Sequence, residues 1–337
     1  MKSKGIIILL ILATIVLFPI TERTAVAETR EVYLGGTPIG IGLVENGLIV
    51  TGTVDVITDE GAVCPARGSE ILIGDVIVKI NDEEFVSVKD FAEKLQKSEN
   101  EVTLTLKRGG QAYRVILVPA TDILTGLKKI GLTLKNGITG IGTLTFIEPK
   151  SMRFAALGHG VPDVDTGKAF LCDSGYVYSC TINSFRKAEE GKAGELSGHF
   201  VDRDHPIGII EKCNEFGVYG SAMPIMTSDL KKVPIGTREE VKTGKATIYS
   251  TISGNTPKAY MIEIVKVAVQ KKPKEKSMLI RVTDEELLRE TGGILQGMSG
   301  SPIVQNGKLI GAVTHVLIND STLGYALYAD WMFENAA

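Results

Sequence analysis

Gly297-Met298-Ser299-Gly300-Ser301-Pro302 is the stretch on which the reading of this chain turns. A glycine two places before a serine lets the backbone bend until the N–H groups of Gly297 and Ser299 converge. Converging donors beside a hydroxyl make an oxyanion hole with its nucleophile, and each donor is worth roughly 2.7–4 kcal/mol in acyl transfer. The plain alternative is a Gly-Ser turn between two strands. Runs 303–305 and 309–316 flank the turn signal Asn306-Gly307, and runs 247–252, 259–269 and 278–282 precede them. Strands this short and numerous predict an antiparallel sandwich or barrel. A G-x-S-x-G elbow would need glycine at position 301, where serine stands, and strand–helix alternation around it; an α/β-hydrolase is excluded. Segment 270–277, rich in lysine, reads as a solvated hairpin loop.

A serine nucleophile needs a base, and the chain has four histidines. His159 follows the apolar run Phe154-Ala155-Ala156-Leu157 and stands between Gly158 and Gly160, which clear space around it. It precedes Ser299, as the base does in the His, Asp, Ser order of chymotrypsin-type triads. A core histidine with satisfied hydrogen bonds is the alternative. His199 and His205 frame Asp202 and Asp204 in a polar stretch without the register that fixes metal ligands, so no metal is expected. His315 lies 16 residues past Ser299 on run 309–316, where a strand of a two-barrel protease would line the primary specificity pocket; packing within the barrel is its other reading.

Composition bounds the rest. The 337 residues suggest about two domains, and a net charge of −3 offers no basic surface for nucleic acid. Thirty-seven glycines against 6% aromatics imply many turns, hence strands rather than a bundle. Lys2 and Lys4 precede an apolar run from Gly5 to Ile20, followed by Ala25-Val26-Ala27. This predicts a signal peptide cut near Ala27 or an uncleaved signal anchor; both export the chain from Glu28 onward. Cys172 and Cys180 either close a small loop or stay separate thiols, and nothing calls for a cofactor.

Residues 28–120 resemble a PDZ domain, with the glycine-rich Gly40-Ile41-Gly42-Leu43, the strand 47–51, "IGDVIVKIND" and an amphipathic stretch behind Ser87 in the family's order. The resemblance implies that Gly40, Ile41, Gly42 and Leu43 form the loop that binds a peptide carboxylate, with the peptide lying beside the next strand. Segment 121–128 reads as a linker, and Asn136-Gly137 as a hairpin turn inside run 132–146. Beyond the linker, "LGHG", "VTDEELLRETGGILQGMSGSPI" and "NGKLIGAVTHV" resemble the SpoIVB peptidase family of endospore-forming bacteria.

That second resemblance covers the whole chain. It implies a chymotrypsin-like double β-barrel over 129–337 and a triad of His159, Asp284 and Ser299. It also implies a membrane-anchored protein substrate, an inhibitor cleaved between forespore and mother cell to trigger intramembrane processing of pro-sigma-K. Self-cleavage within 22–32 is implied as well. Asp284 has a rival local reading as a helix cap in Thr283-x-x-Glu286, and Asp202 and Asp204 stand in reserve as the acid. Met298 replaces the usual acid before the serine, so an ion pair with a freed N-terminus cannot switch the enzyme on, and the PDZ unit becomes the candidate regulator. An HtrA-like envelope quality-control protease and a catalytically dead PDZ scaffold are the competing readings.

Overall fold

The computed structural model describes residues 30–162, 169–170 and 174–337. The export segment 1–27 and Cys172 lie outside the described residues. The chain enters through β1 (Glu31–Leu34) and β2 (Pro38–Thr53), and β2 serves two bodies. After the small β3 (Val56–Thr58) and β4 (Gly61–Val63) hairpin, β5 (Val76–Ile80) returns to pair with the second half of β2 at Leu48↔Ile77. Helix α1 (Val88–Lys97) follows because Ser87 caps it, accepting from the Asp90 N–H, while Lys94 and Lys97 suit its negative last turn. Its buried face, Phe91 and Leu95, packs on Ile77, Ile80 and the inner residues of β6 (Val102–Arg108) and β7 (Gln111–Leu117). A two-residue pair, β8 (Ala120–Thr121) with β9 (Lys128–Lys129), leads into β10 (Leu132–Ile147).

β10 runs antiparallel to β2 from Leu132↔Thr53 to Thr143↔Pro38. The PDZ unit is thus an insertion between these two long strands, not the free N-terminal domain expected over 28–120. Residues 121–128 belong to the β8–β9 hairpin rather than to an open linker. Asn136-Gly137 makes no hairpin turn: β10 passes through it, and the register against β2 shifts there between Lys135 and Gly137.

The first barrel closes as β10, β11 (Arg153–Ala156), β17 (Gly217–Ala222), β16 (Gly208–Asn214), β14 (Gly175–Arg186), β2 and back to β10. Between β11 and β14 lies a short pair, β12 (Val161–Pro162) with β13 (Ala169–Phe170). β15 (Gly194–Phe200) pairs with the far end of β14, and β18 (Lys232–Pro234) covers the outer edge of β1. Gly40–Leu43 sits in the wall of this barrel. Gly42 faces Thr139 on one side and Tyr176 on the other, so both edges are paired. A strand paired on both edges has no backbone donors left for a carboxylate, and the expected binding-loop role of Gly40, Ile41, Gly42 and Leu43 is corrected accordingly.

The second barrel contains β19 (Gly244–Ser250), β20 (Lys258–Val267), β21 (Met278–Val282), β23 (Pro302–Gln305), β24 (Lys308–Leu317) and β25 (Asp320–Tyr328). Helix α2 (Glu285–Thr291) and the short β22 (Leu295–Gln296) lie between β21 and β23, and α3 (Ala329–Ala336) closes the described chain. The architecture is mostly β, a PDZ unit with a double β-barrel.

Within the PDZ unit one carboxylate is committed to holding the strands. Asp75 has 1% of its surface exposed and accepts from the Leu72 N–H, from Arg108 Nε and Nη2, and from the Tyr113 hydroxyl. Burial would raise its pKa, but the Arg108, Tyr113 and Leu72 hydrogen bonds overcome it and hold the group below the usual range. Asp75→Ala should therefore cost about 2–4 kcal/mol in urea unfolding, since it strips partners from buried donors. Because the folded pKa is depressed, the difference between parent and variant should be full above about pH 4 and shrink as the pH falls through the folded value.

Candidate active site

The serine turn is shaped by two glycines in the left-handed region, Gly297 at φ +97° and Gly300 at φ +95°. Within it the Met298 N–H goes to Leu295 O, the Gly300 N–H to Val313 O and the Ser301 N–H to Met298 O. The N–H groups of Gly297 and Ser299 have no acceptor among the described residues. An oxyanion hole needs two such free donors. Met298 is fully buried and its sulfur receives the Leu295 N–H, so it anchors the turn where an acid was absent from the sequence. Ser301 is also buried, bonded to the Ser250 hydroxyl at 2.9 Å, which removes it as an alternative nucleophile.

β10 of the other barrel grips this turn. The Thr143 N–H donates to Ser299 O at 2.9 Å, Thr143 Oγ1 to Gly297 O at 2.9 Å, and Thr145 Oγ1 to Gly300 O at 2.8 Å. A Cβ on Gly300 would stand 2.1 Å from Thr143 O and 2.6 Å from Leu157 N, so the turn lies directly on the segment that leads to His159.

That segment leaves β11 through Leu157 at φ +70° and Gly158 at φ +73°. A leucine in this region is strained by roughly 1 kcal/mol or more, the kind of cost retained where a side chain must be aimed. His159 Nδ1 lies 2.6 Å from Gly160 O, which makes Nδ1 the protonated nitrogen and leaves Nε2 as the acceptor that a base requires. Burial pushes the pKa of His159 down to about 4; the Gly160 hydrogen bond and the Glu275 charge oppose that shift, and His315 adds to it.

His315, from β24, brings its ring to 4.8 Å from the His159 ring. Its Nδ1 is buried without a partner among the described residues, and burial together with the Lys276 charge lowers its pKa. The structure therefore places His315 against the candidate base. Ser299 Oγ donates to Thr314 O at 2.8 Å, a partner the sequence reading did not include.

Asp284 caps a helix. Its Oδ1 accepts the Leu287 N–H as the cap of α2, and its Oδ2 accepts the Met261 N–H on β20. It makes no hydrogen bond to His159 among the described residues, where His159 Nδ1 faces Gly160 O. Each carboxylate oxygen keeps a further lone pair, so the cap stands beside the triad position that the family resemblance implies. Asp202 accepts from the Asp204 and His205 N–H groups and from His205 Nδ1 in an exposed loop, and His159 is among the partners of neither reserve acid in the described residues. His199 pairs with Asn183.

A cleft of about 460 Å³ lies between the barrels, lined in part by Thr37, Leu144, Cys180, Met226 and Tyr249, and includes neither His159 nor Ser299. Cys180 in its wall is buried, with its thiol pushed up to about 11. The PDZ unit has an open strand edge elsewhere. Among the described residues, Leu132–Leu134 pairs with β2 on one side only, and Leu132 and Leu134 join the same apolar cluster as Phe91 and Leu95 of α1. The Gln96 amide brackets the Lys128 backbone in both directions, fixing the approach to this strand. Ile130-Gly131-Leu132 repeats the Ile-Gly pattern of 41–42, and that repeat was the sequence signal for this location.

Gly300→Ala should be far more damaging than its size suggests. The new Cβ meets backbone on two sides at an unfavourable φ, so loss of reactivity at Ser299 towards a fluorophosphonate probe is expected with a fall of several degrees in Tm. Asp284→Asn should keep the cap and the parent's stability, so that its turnover reads the triad role alone, whereas Asp284→Ala should also lose about 1 kcal/mol in stability by denaturant unfolding.

Comparison with known proteins places the geometry in context. The PDZ domain of the SdrC-like protein from Listeria monocytogenes is 25% identical, with 27% of this chain and 88% of that one covered and a TM-score of 0.22. The active form of the Rv3671c protease from M. tuberculosis is 17% identical over 59% of this chain and 73% of its own, with a TM-score of 0.33; its inactive form gives 17%, 58%, 81% and 0.31. No match to a curated protein was found. The sequence profile of the SpoIVB peptidase S55 family matches residues 126–333, from the strand that joins the PDZ unit through both serine-turn barrels. The chain belongs to the SpoIVB peptidase S55 family and is a serine peptidase of that type.

Proposed function

We propose that Ser299 is the nucleophile and His159 the base of an endopeptidase that cleaves a membrane-anchored protein outside the cytoplasmic membrane. The observation that supports this is the serine turn, which leaves the Gly297 and Ser299 N–H groups without an acceptor among the described residues and is clamped against the segment that leads to His159. The Ser299 hydroxyl first leaves Thr314 O and turns to Nε2 of His159. Its oxygen attacks the scissile carbonyl carbon as its proton passes to Nε2, and the Gly297 and Ser299 N–H groups hold the resulting oxyanion. The imidazolium then protonates the departing amine as the C–N bond breaks, and water hydrolyses the acyl-enzyme by the same route.

Family membership and the apolar run behind Lys2 and Lys4 support a site of action in the space between forespore and mother cell. There the substrate is the membrane-bound inhibitor whose removal starts pro-sigma-K processing. The chain also cuts itself within 22–32, at a bond ahead of β1, since Glu31 and Val32 are paired with β18. The open edge at Leu132–Leu134 takes an extended peptide by strand addition beside α1.

Full-length chain and its Ser299→Ala copy, incubated with membrane-protein ectodomains and followed by mass spectrometry, test this reading. The alanine copy should fold and lose several orders of magnitude in rate. Equal processing by both proteins would sink the assignment. Since kcat/KM reports the free enzyme, and its base titrates near 4, activity should persist through pH 5 and fall only as His159 becomes protonated around that value. An acid limb near 6.5 would mean that the base is elsewhere.

A further inference from the structure

The edge of β10 that reaches the serine turn runs on past it. The Leu144 N–H goes to Thr37 O, beside β2, whereas the Thr143 N–H points the other way, to Ser299 O. Alternation along an antiparallel strand then turns the N–H and C=O of Ile141 and Thr139 to the same side as those of Thr143. Over 138–142 no strand pairs with that side of β10 among the described residues. Beside it lies a cleft of about 320 Å³, lined in part by Gly42, Ile138, Thr139, Tyr178, Phe200 and Arg203. We propose that this cleft takes an aromatic side chain of the substrate, about three or four residues beyond the scissile bond. The inference rests on the reading of Ser299 and His159 as nucleophile and base, and it names a substrate feature that their site selects.

Two glycines give the cleft its shape. Gly40 and Gly42 of β2 stand opposite Ile141 and Thr139 on one neighbour and opposite Tyr178 and Tyr176 on the other. A Cβ on Gly40 would lie 2.6 Å from the Phe200 ring, and one on Gly42 3.1 Å from the Tyr178 ring, so both rings lie directly over the strand. These rings stack with centroids 5.5 Å apart and planes 18° apart, and the Arg203 guanidinium lies 4.7 Å from the Phe200 centroid. Arg203 is exposed and has no carboxylate partner among the described residues. An aromatic side chain entering here meets rings and a cation together. An acidic one would meet the guanidinium alone, in water and screened by salt.

The barrel that carries the base sets the path from the serine to this cleft. On the proposed mechanism His159 protonates the departing amine, so the chain after the scissile bond leaves over the first barrel, on the side of β10. An extended segment there runs antiparallel to β10 and pairs with the free groups of Ile141. At ~3.3 Å per residue, Thr139 is about 13 Å along the strand from Thr143, within reach of the third or fourth residue. β15 walls the route. It begins beside β22 at Gly194↔Leu295, its Leu196 Cβ would lie 3.0 Å from a Cβ on Gly297, and it ends at Phe200. One strand thus runs from the serine turn to the aromatic stack.

The test digests a peptide library with the full chain and reads the new N-termini by mass spectrometry. Phe, Tyr or Trp should be enriched at least about fivefold at the third or fourth position after the cut. Phe200→Leu and Arg203→Gln should each remove most of that enrichment and leave the preferences before the cut as they were. Arg203 is exposed, so its variant keeps the fold even where Phe200→Leu does not. Enrichment of Asp or Glu at those positions, a flat preference, or an aromatic preference untouched by Arg203→Gln overturns the proposal. Fluorophosphonate labelling of Ser299 in the parent reports the nucleophile separately. Amidated hexapeptides with Phe-Phe, Glu-Glu or Ala-Ala at their centre judge the cleft in the full-length Ser299→Ala chain, where no turnover is needed. The Phe-Phe peptide should bind at least about fivefold tighter than the other two and lose that margin when Arg203→Gln is added. Equal binding of the three, or a margin that survives Arg203→Gln, overturns the proposal whatever the serine does.

Discussion

The serine turn cannot hold its own shape. Gly297 and Gly300 give it backbone freedom that folding must remove, and hydrogen bonds from another barrel help to remove it. Thr143 and Thr145 are almost wholly buried on β10, and their side chains and backbone take the carbonyls of Gly297, Ser299 and Gly300. Each bond is worth only about 1 kcal/mol net, but leaving such buried groups unpaired would cost more than that for each one. The Ser299 N–H shares its peptide plane with Met298 O, which accepts the Ser301 N–H, and both that N–H and the Gly297 N–H are left without an acceptor among the described residues. On the proposed mechanism these are the two donors that the oxyanion meets.

The same strand explains why the PDZ unit is where it is. β10 begins as the open-edged strand beside α1, passes the register shift at Asn136-Gly137, and ends as the clamp on Ser299. Its partner β2 makes the same passage in reverse. Two paired strands of sixteen residues carry the PDZ core and the first barrel without an intervening flexible segment. Leu132–Leu134 and Thr143 therefore lie on one strand, whose ladder with β2 is interrupted by register shifts between Thr133 and Leu134 and between Lys135 and Gly137.

Local rules were enough for much of this. The alternation in 247–316 gave strands close to their observed bounds, and Ser87 marked the start of α1, because pattern and capping chemistry act over a few residues. Gly40–Leu43 misled because a glycine-rich run looks the same in a binding loop and in a barrel strand that must pass close to neighbours. The ring of Tyr178, 3.1 Å from a Cβ on Gly42, shows the second case. Asn136-Gly137 misled because its pairing with β2 is decided by a partner more than 80 residues away. A cap was legible at Thr283-Asp284, but the Thr283-x-x-Glu286 box pointed one residue early, and Asp284 is the residue that accepts the Leu287 N–H. The Ser299–Thr314 bond depends on how β24 meets the serine turn in space, which no spacing in the sequence encodes.

The resting electrostatics of the site follow from that meeting. A neutral His159, held neutral by burial and by its neighbour His315, has little pull on the Ser299 proton, and the hydroxyl turns instead to the nearest strong acceptor, Thr314 O. On the proposed mechanism, the oxyanion that forms near the imidazole adds a negative charge that favours its protonated state. Ser299 and His159 would then be better matched in the transition state than in the free protein, so that binding energy is directed to the transition state instead of the resting complex.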